Sequence, residues 1–191
     1  MRIRDMNTGE KITLTAQNKT KNENDKVLWE NEWLRVKMKD GWYTCTESTK
    51  GDGIAVCVFR PKTKEVLIRY EHTPCHGEGL RQTSITGMMD KGETPDQTAL
   101  RELKEETGIT ANSDELLGLG WVFNSKSSSD KTYLFAVDGS NKEIGEIVGD
   151  GTKGEEGAYV KWESLEIALQ LNAPSVLASL AKLCARGLMK L

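Results

Sequence analysis

Residues 87–109 bring a glycine, a helix start and a cluster of carboxylates together in one short stretch of the chain. Three glutamates, Glu102, Glu105 and Glu106, lie close together in it, and Glu93 lies a little upstream. Crowded carboxylates repel one another unless a cation lies among them, and their hard oxygen atoms suit Mg²⁺ or Mn²⁺. The plainer alternative is a solvated acidic helix face with ion pairs between residues i and i+4, such as Arg101 with Glu105.

Capping residues predict where the helix that carries these carboxylates begins and ends. Thr94 suits the N-cap, Pro95 the first helical position, and Gln97 completes a capping box with Thr94. Gly108 suits the position just past the end, so the sequence predicts a helix over 95–107. At about 100° per residue, the glutamates form a stripe beside an apolar stripe made of Ala99, Leu100 and Leu103. Such a helix would dock on a sheet through the apolar stripe and hold the carboxylates at its edge.

The spacing of the whole stretch decides between the two alternatives. The pattern Gly-x5-Glu-x7-Arg-Glu-(aliphatic)-x-Glu-Glu-x-Gly-(aliphatic) is met at every position, by Gly87, Glu93, Arg101, Glu102, Leu103, Glu105, Glu106, Gly108 and Ile109. With average residue frequencies, a chance match in a chain of this length has a probability on the order of 10⁻⁷. This pattern is the Nudix box, and the chain resembles Nudix hydrolases.

The resemblance implies a reaction and a set of site residues. Nudix hydrolases use Mg²⁺ or Mn²⁺ and water to cleave the pyrophosphate of a nucleoside diphosphate linked to another group. Glu102 and Glu106 match the principal metal ligands, Glu105 a further or water-mediated ligand, and the Thr86 carbonyl a backbone ligand. Arg101 is similar to the arginine that, together with Glu93, orients these groups. Glu105, Glu106 and Arg101 are therefore expected in the catalytic machinery.

The resemblance extends over residues 27–186, where several segments are similar to the ADP-ribose/ADP-sugar pyrophosphatase branch. In that branch the N-terminal strands cross to a partner subunit, which implies a homodimer. A catalytic glutamate precedes the last strand, and Glu155 and Glu156 are both candidates; the alternative is an ordinary exposed acidic loop. The candidate substrate-binding residues are Trp33, Tyr43, Arg69, His72, Gly87 and Ser128; Trp33 could instead be a core or interface aromatic, and Arg69 a solvated charge.

Some segments depart from the branch. Residues 121–129 lack its usual proline and Gly-Phe, and His72 falls near the position of a phosphate-contacting arginine. We predict hydrolysis of ADP-ribose or an ADP-sugar to AMP and a sugar phosphate. The alternatives are a Nudix enzyme acting on nucleoside triphosphates, dinucleoside polyphosphates or NADH, and a non-catalytic Nudix domain that senses a nucleotide.

The elements that must hold this site follow from periodicity and turn residues. We predict an N-terminal segment over 1–48, with a polar lead-in and strands for dimerisation, and a Nudix domain over 49–191. The almost continuous apolar run Ile54–Phe59 predicts a strand buried on both faces. Further strands are predicted at 27–29, 33–38, 42–46, 65–70, 83–86, 116–123, 131–137 and 158–162, a loop at 73–82, and helices at 163–171 and 174–186. Strands with few separated helices predict an α+β domain. The resemblance implies that this domain has a Nudix fold, a mixed sheet between helices.

Composition limits the partners and the compartment. The net charge of −3 argues against a dedicated nucleic-acid binder. No apolar run approaches the roughly 20 residues that cross a bilayer, so we expect no membrane partner. The four cysteines form no Cys-x-x-Cys pair, and reduced thiols in the cytoplasm are the expectation.

Overall fold

The computed structural model describes residues 2–4, 11–13, 26–32, 34–47, 51–73, 76–148 and 157–190. Twelve strands and three helices follow one another in this part of the chain. They are β1 (Arg2–Arg4), β2 (Lys11–Thr13), β3 (Lys26–Glu30), β4 (Leu34–Lys39), β5 (Trp42–Glu47), β6 (Gly53–Arg60), β7 (Glu65–His72), β8 (Leu80–Thr83), β9 (Ile85–Met88), α1 (Pro95–Thr107), β10 (Leu117–Phe123), β11 (Lys131–Asp138), β12 (Tyr159–Ser164), α2 (Leu165–Ala168) and α3 (Pro174–Ala185).

Strand β6 is the centre of a seven-stranded mixed sheet. Its buried apolar side chains form the continuous run expected of a strand covered on both faces. Along one edge, β6 pairs in parallel with β11, and β11 pairs antiparallel with β10. Its other edge is shared, since β9 pairs with the first half and β7 with the end. Strands β8 and β12 then pair with β7.

The two faces of this sheet carry separate apolar cores. Alternate residues of β6 point to opposite faces, as the pleat of a strand requires. Ile54, Val56 and Val58 pack with Ala99 and Leu103 of α1 on one face. On the other face, side chains of the same strand pack with α2 and α3. The sheet is therefore covered by helices on both sides, which confirms the α+β prediction.

The N-terminal strands β3, β4 and β5 form a separate antiparallel sheet. Asp40 and Gly41 take positive φ in the turn between β4 and β5, as the Asp-Gly hairpin signal predicts. Large apolar side chains are exposed on this sheet, including Trp29, Trp42 and Tyr43. A backbone hydrogen bond from Cys45 N to Ser127 O, 2.7 Å long, connects it to the larger sheet's loops.

Three local predictions differ from the structure. The predicted loop over 73–82 contains β8, because β7 runs on to His72 and offers Leu80–Thr83 a pairing edge. The helix predicted at 163–171 is only α2, since β12 continues to Ser164. In α3, helical spacing predicts an apolar face made of Leu177, Leu180, Ala181 and Cys184; Leu180 is buried and Cys184 packs against the core, but Ala181 is exposed. The buried residues are Val176, Ser179, Leu180 and Leu183.

Within the described residues, no helix has both the length and the apolar character needed to cross a membrane.

Candidate active site

Helix α1 begins and ends where its capping residues predict. Gln97 Oε1 accepts a hydrogen bond from Thr94 N at 2.9 Å, which forms the glutamine side of the capping box. Gly108 follows the helix in the left-handed region at φ 67°, and its N–H donates to Lys104 O. Leu103 and Ala99 are completely buried against the sheet, and this docking sets the direction of the glutamates.

The Glu102 carboxyl group lies directly against Gly87 of β9. A Cβ atom added at Gly87 would overlap that carboxyl group. Gly87 pairs with Ile54 of β6, so its backbone is fixed in the sheet and cannot retreat. The first glycine of the box is therefore required by the close approach of a carboxylate, and this contact brings α1 and β9 together.

Arg101 is the ionic centre of the box. Its Nε and Nη2 each lie 3.0 Å from an oxygen of Glu93. Its Nη1 lies 2.7 Å from Glu102 Oε1 and 3.0 Å from Glu105 Oε2, and the latter is the predicted pair between residues i and i+4. Hydrogen bonds from Arg101, followed by those from Asp90 N and Thr98 Oγ1, lower the pKa of Glu93 to about 2 against the effect of burial.

Glu106 is the most deeply buried carboxylate of the site, with 5% of its surface exposed. Its Oε1 lies 3.2 Å from Nη1 of Arg69, and its Oε2 accepts a hydrogen bond from Thr86 N at 3.2 Å. The pKa of Glu106 is raised to about 9, chiefly by burial. Arg69 opposes the rise, whereas the negative charges of Glu102 and Glu71 add to it. Burial therefore disfavours the ionised form of Glu106 by more than Arg69 favours it.

The residues present fit a hard divalent cation by their chemistry. Glu102, Glu105 and Glu106 offer carboxylate oxygens, which Mg²⁺ and Mn²⁺ prefer. Added positive charge would also stabilise the ionised form of the buried Glu106. Among the described residues, no three His, Cys, Asp or Glu side chains are grouped in the way that holds a metal ion. Arg101 and Arg69 engage these carboxylates in this arrangement.

A cavity of about 690 Å³ opens beside the edge of the site. Thr86, Gly87 and Ser128, three of the predicted site residues, line it together. Much of the remaining wall comes from the loop before β11, including Asn124 and the buried Asp130. The Asp130 carboxylate accepts a hydrogen bond from Ser128 Oγ at 3.2 Å, which orders this wall.

The other predicted site residues are dispersed or undescribed. Trp33, Glu155 and Glu156 lie outside the described residues. Tyr43 is 63% exposed on the N-terminal sheet, and neither it nor His72 is among the residues that line the cavity.

Arg69 is buried in the larger sheet rather than solvated, and it contacts Glu106 instead of lining the cavity. Glu71 is a second residue of this ion-pair cluster, and the sequence analysis missed it. The sequence did contain a signal for this pair. Arg69 interrupts an apolar strand, and Glu71 lies on the same face because residues i and i+2 of a strand share one face.

The comparison with protein families shows which family the chain belongs to. A family model described as the NUDIX domain matches residues 49–184, which is most of the chain. The chain belongs to the Nudix family. The family prediction is therefore confirmed, and with it the prediction of a Nudix hydrolase.

Individual relatives agree with this assignment. The chain is 26% identical over 165 residues to "Putative nudix hydrolase 2" of Caenorhabditis elegans, an alignment that covers 76% of this chain and 70% of that protein. It is 35% identical over 80 residues to "ADP-ribose pyrophosphatase" of Bacillus subtilis (strain 168), covering 40% of each chain. The chain thus spans well under two thirds of the Bacillus protein.

A solved structure shares the fold. The "ADP compounds hydrolase" crystal structure superposes with a TM-score of 0.62 at 18% identity, covering 87% of this chain and 95% of that chain. At this level of identity the match supports the mixed sheet between helices as a Nudix fold.

Proposed function

We propose that this Nudix hydrolase cleaves the pyrophosphate bond of ADP-ribose or an ADP-sugar, with Mg²⁺ or Mn²⁺ as cofactor, giving AMP and a sugar phosphate. One observation carries the proposal. The carboxylates of α1 meet the sheet at Thr86 and Gly87, and the same two residues line the 690 Å³ cavity. A candidate cation site and a cavity large enough for a small molecule therefore share one edge.

Residues of α1 and β9 would hold the cation. We assign Glu102, Glu105 and Glu106 as side-chain ligands and the Thr86 carbonyl as a backbone ligand. When bound, the cation would neutralise the diphosphate, polarise phosphorus and lower the pKa of water. Arg101 keeps its bidentate contact with Glu93, and it thereby holds the side of the helix from which Glu102 and Glu105 project.

The substrate assignment rests on the cavity and on one relative. The cavity lies within the roughly 300–1,000 Å³ of typical small-molecule sites, and Gly87 and Ser128 would contact the ligand there. The similarity to the ADP-ribose pyrophosphatase of Bacillus subtilis favours an ADP-linked substrate. Trp33, Tyr43 and His72 stay candidate substrate contacts. Glu155 and Glu156 stay candidates for the catalytic glutamate before β12.

We also propose a homodimer that forms through the N-terminal sheet. Val27, Leu28 and Trp29 of β3 and Trp42 and Tyr43 of β5 are between 42% and 66% exposed in the single chain. Apolar side chains grouped on one sheet favour burial against a partner. The free thiols of Cys45, Cys57 and Cys184 are consistent with a reducing compartment, for which we propose the cytoplasm.

Turnover of a substrate panel tests the proposed reaction. The purified chain with Mg²⁺ is incubated with ADP-ribose, ADP-glucose, NADH, dinucleoside polyphosphates and nucleoside triphosphates, and released monophosphate or pyrophosphate is quantified. We expect the highest kcat/KM for ADP-ribose or ADP-glucose. A higher value for triphosphates, dinucleoside polyphosphates or NADH would reassign the substrate, and no release from any compound would favour a nucleotide-sensing domain.

A pair of glutamate variants tests the ligand assignment. Glu106→Gln removes a proposed ligand and should lower kcat on the order of 10²-fold or more, as loss of a group that stabilises developing charge does. Glu115→Gln is the matched control, because Glu115 is exposed and pairs with Lys142 away from the site. Wild-type kcat in Glu106→Gln would contradict the assignment.

A further inference from the structure

Arg69 is a completely buried cation at the back of the candidate metal site. It lies on β7 with 1% of its surface exposed. Its Nε donates to Glu71 Oε2 at 2.8 Å, while Nη1 lies 3.2 Å from Glu106 Oε1. A buried guanidinium is stable only when it is paired and hydrogen-bonded, and here carboxylates on two sides meet that need. The rigid fork of the guanidinium fixes the two carboxylates relative to each other.

Two groups that belong to the sheet hold the Glu106 carboxylate in place. One oxygen of the Glu106 carboxylate meets Arg69 from β7, and the other accepts the Thr86 N–H from β9. Both strands pair with β6, so the two donors belong to one sheet. The orientation of Glu106 therefore depends on Arg69 as well as on α1, where the residue itself is located.

We propose that Arg69, oriented by Glu71, is a positioning residue that sets the Glu106 carboxylate for binding the divalent cation. The inference rests on the metal site proposed above. It assigns Arg69 a different role from substrate contact, because only 2% of the side chain is exposed and it does not line the cavity. Glu71 acts through Arg69 and holds the guanidinium in the plane that reaches Glu106.

Substitutions at these two positions have distinct expected effects. Groups that orient a metal ligand typically contribute about 10–100-fold to metal affinity. Arg69→Lys keeps the charge but loses the fork, so the ammonium cannot reach both carboxylates in the same geometry. Glu71→Gln leaves an oxygen acceptor for Arg69 Nε, so it should raise the Kd for the cation only a few-fold. Because Glu71 acts through Arg69, adding Glu71→Gln to Arg69→Lys should weaken binding little further.

Mn²⁺ binding without substrate tests this role independently of turnover. Free Mn²⁺ is titrated against the purified chain and measured by its electron paramagnetic resonance signal. We expect Arg69→Lys to raise the Kd for Mn²⁺ about 10–100-fold. Saturating Mn²⁺ should restore most of kcat. Arg60→Lys is the matched control, because Arg60 lies on the neighbouring strand β6 and contacts Gly139 O and Trp162 away from the site. Its Kd should equal that of the wild type.

The outcomes separate this inference from the proposed function. If the wild type binds Mn²⁺ and Glu106→Gln abolishes binding, while Arg69→Lys binds as tightly as the wild type, the role of Arg69 is refuted alone. If the wild type binds no Mn²⁺, or Glu106→Gln does not weaken binding, the metal site itself is refuted. Should Arg69→Lys fail to fold by circular dichroism, the partly exposed Glu71→Gln decides, and an unchanged Kd in that variant refutes the inference.

Discussion

Gly87→Ala places one methyl group where the Glu102 carboxyl group lies. Gly87 is in a regular strand pair with Ile54, and its φ is outside the positive region that favours glycine, so alanine fits the backbone itself. The substitution therefore tests the close approach of Glu102 without a conformational cost at position 87. The methyl group and the carboxyl group cannot occupy the same space.

The size of the effect follows from the displacement that is required. Carbon atoms in van der Waals contact lie about 3.5–4.0 Å apart, so the Glu102 carboxyl group must move by more than ~1 Å. A misplacement of about 1 Å at a reacting centre can cost on the order of 10²-fold in rate. Rearranging a packed side chain in this way costs about 1–3 kcal/mol of stability. We expect kcat/KM to fall on the order of 10²-fold in a chain that still folds.

Steady-state release of AMP from ADP-ribose with Mg²⁺ measures the loss, and thermal unfolding confirms that the variant is folded. Gly187→Ala is the matched control, because a Cβ there meets nothing within 4 Å and only its positive φ is strained. That control should lose stability and keep its kcat. Activity of Gly87→Ala within about threefold of the wild type would refute the reasoning, since a displacement of ~1 Å predicts a far larger loss.

Two further predictions concern stability in acid and assembly. The pKa of Glu93 is lowered from 4.5 to about 2, so its stabilising effect is present above pH 4.5 and is lost as the pH falls through about 2. Without divalent cations, Glu93→Gln should therefore lose less stability than the wild type over this range, as chemical denaturation measures; equal losses would contradict the assignment. Trp42→Glu, at a side chain that is 66% exposed, should raise the dimer Kd at least tenfold by light scattering. Val148→Glu, at an exposed valine outside the N-terminal sheet, should leave the dimer Kd unchanged; an unchanged dimer Kd in Trp42→Glu would exclude this surface.

Helix α1 could be predicted to the residue because the signals that bound it are local. Thr94, Pro95 and Gln97 specify the start within one turn, and Gly108 supplies the left-handed conformation that ends the helix. The pair between Arg101 and Glu105 follows from helix geometry in the same way. The positions of strands such as β6 and β11 along the chain also follow their apolar patterns closely.

What escaped prediction depends on partners that are distant in the sequence. Helix α3 has apolar residues at helical spacing on more than one face, so periodicity could not choose the face that contains Val176 and Leu183. Arg69 was expected to contact substrate or solvent, and only the packing of α1 on the sheet makes it the partner of Glu106. The cavity combines β9 with the loop before β11, which no local pattern connects.

The parallel pairing of β6 with β11 makes the Nudix box inseparable from the rest of its domain. The box lies within the long crossover between these two strands, and its first glycine occupies a strand that pairs with β6. The sheet that holds the box is complete only when β11 has paired with β6. A contiguous sequence motif is thus a non-local structure. Transferred as a peptide, it would retain every glutamate and lose the sheet that aims them.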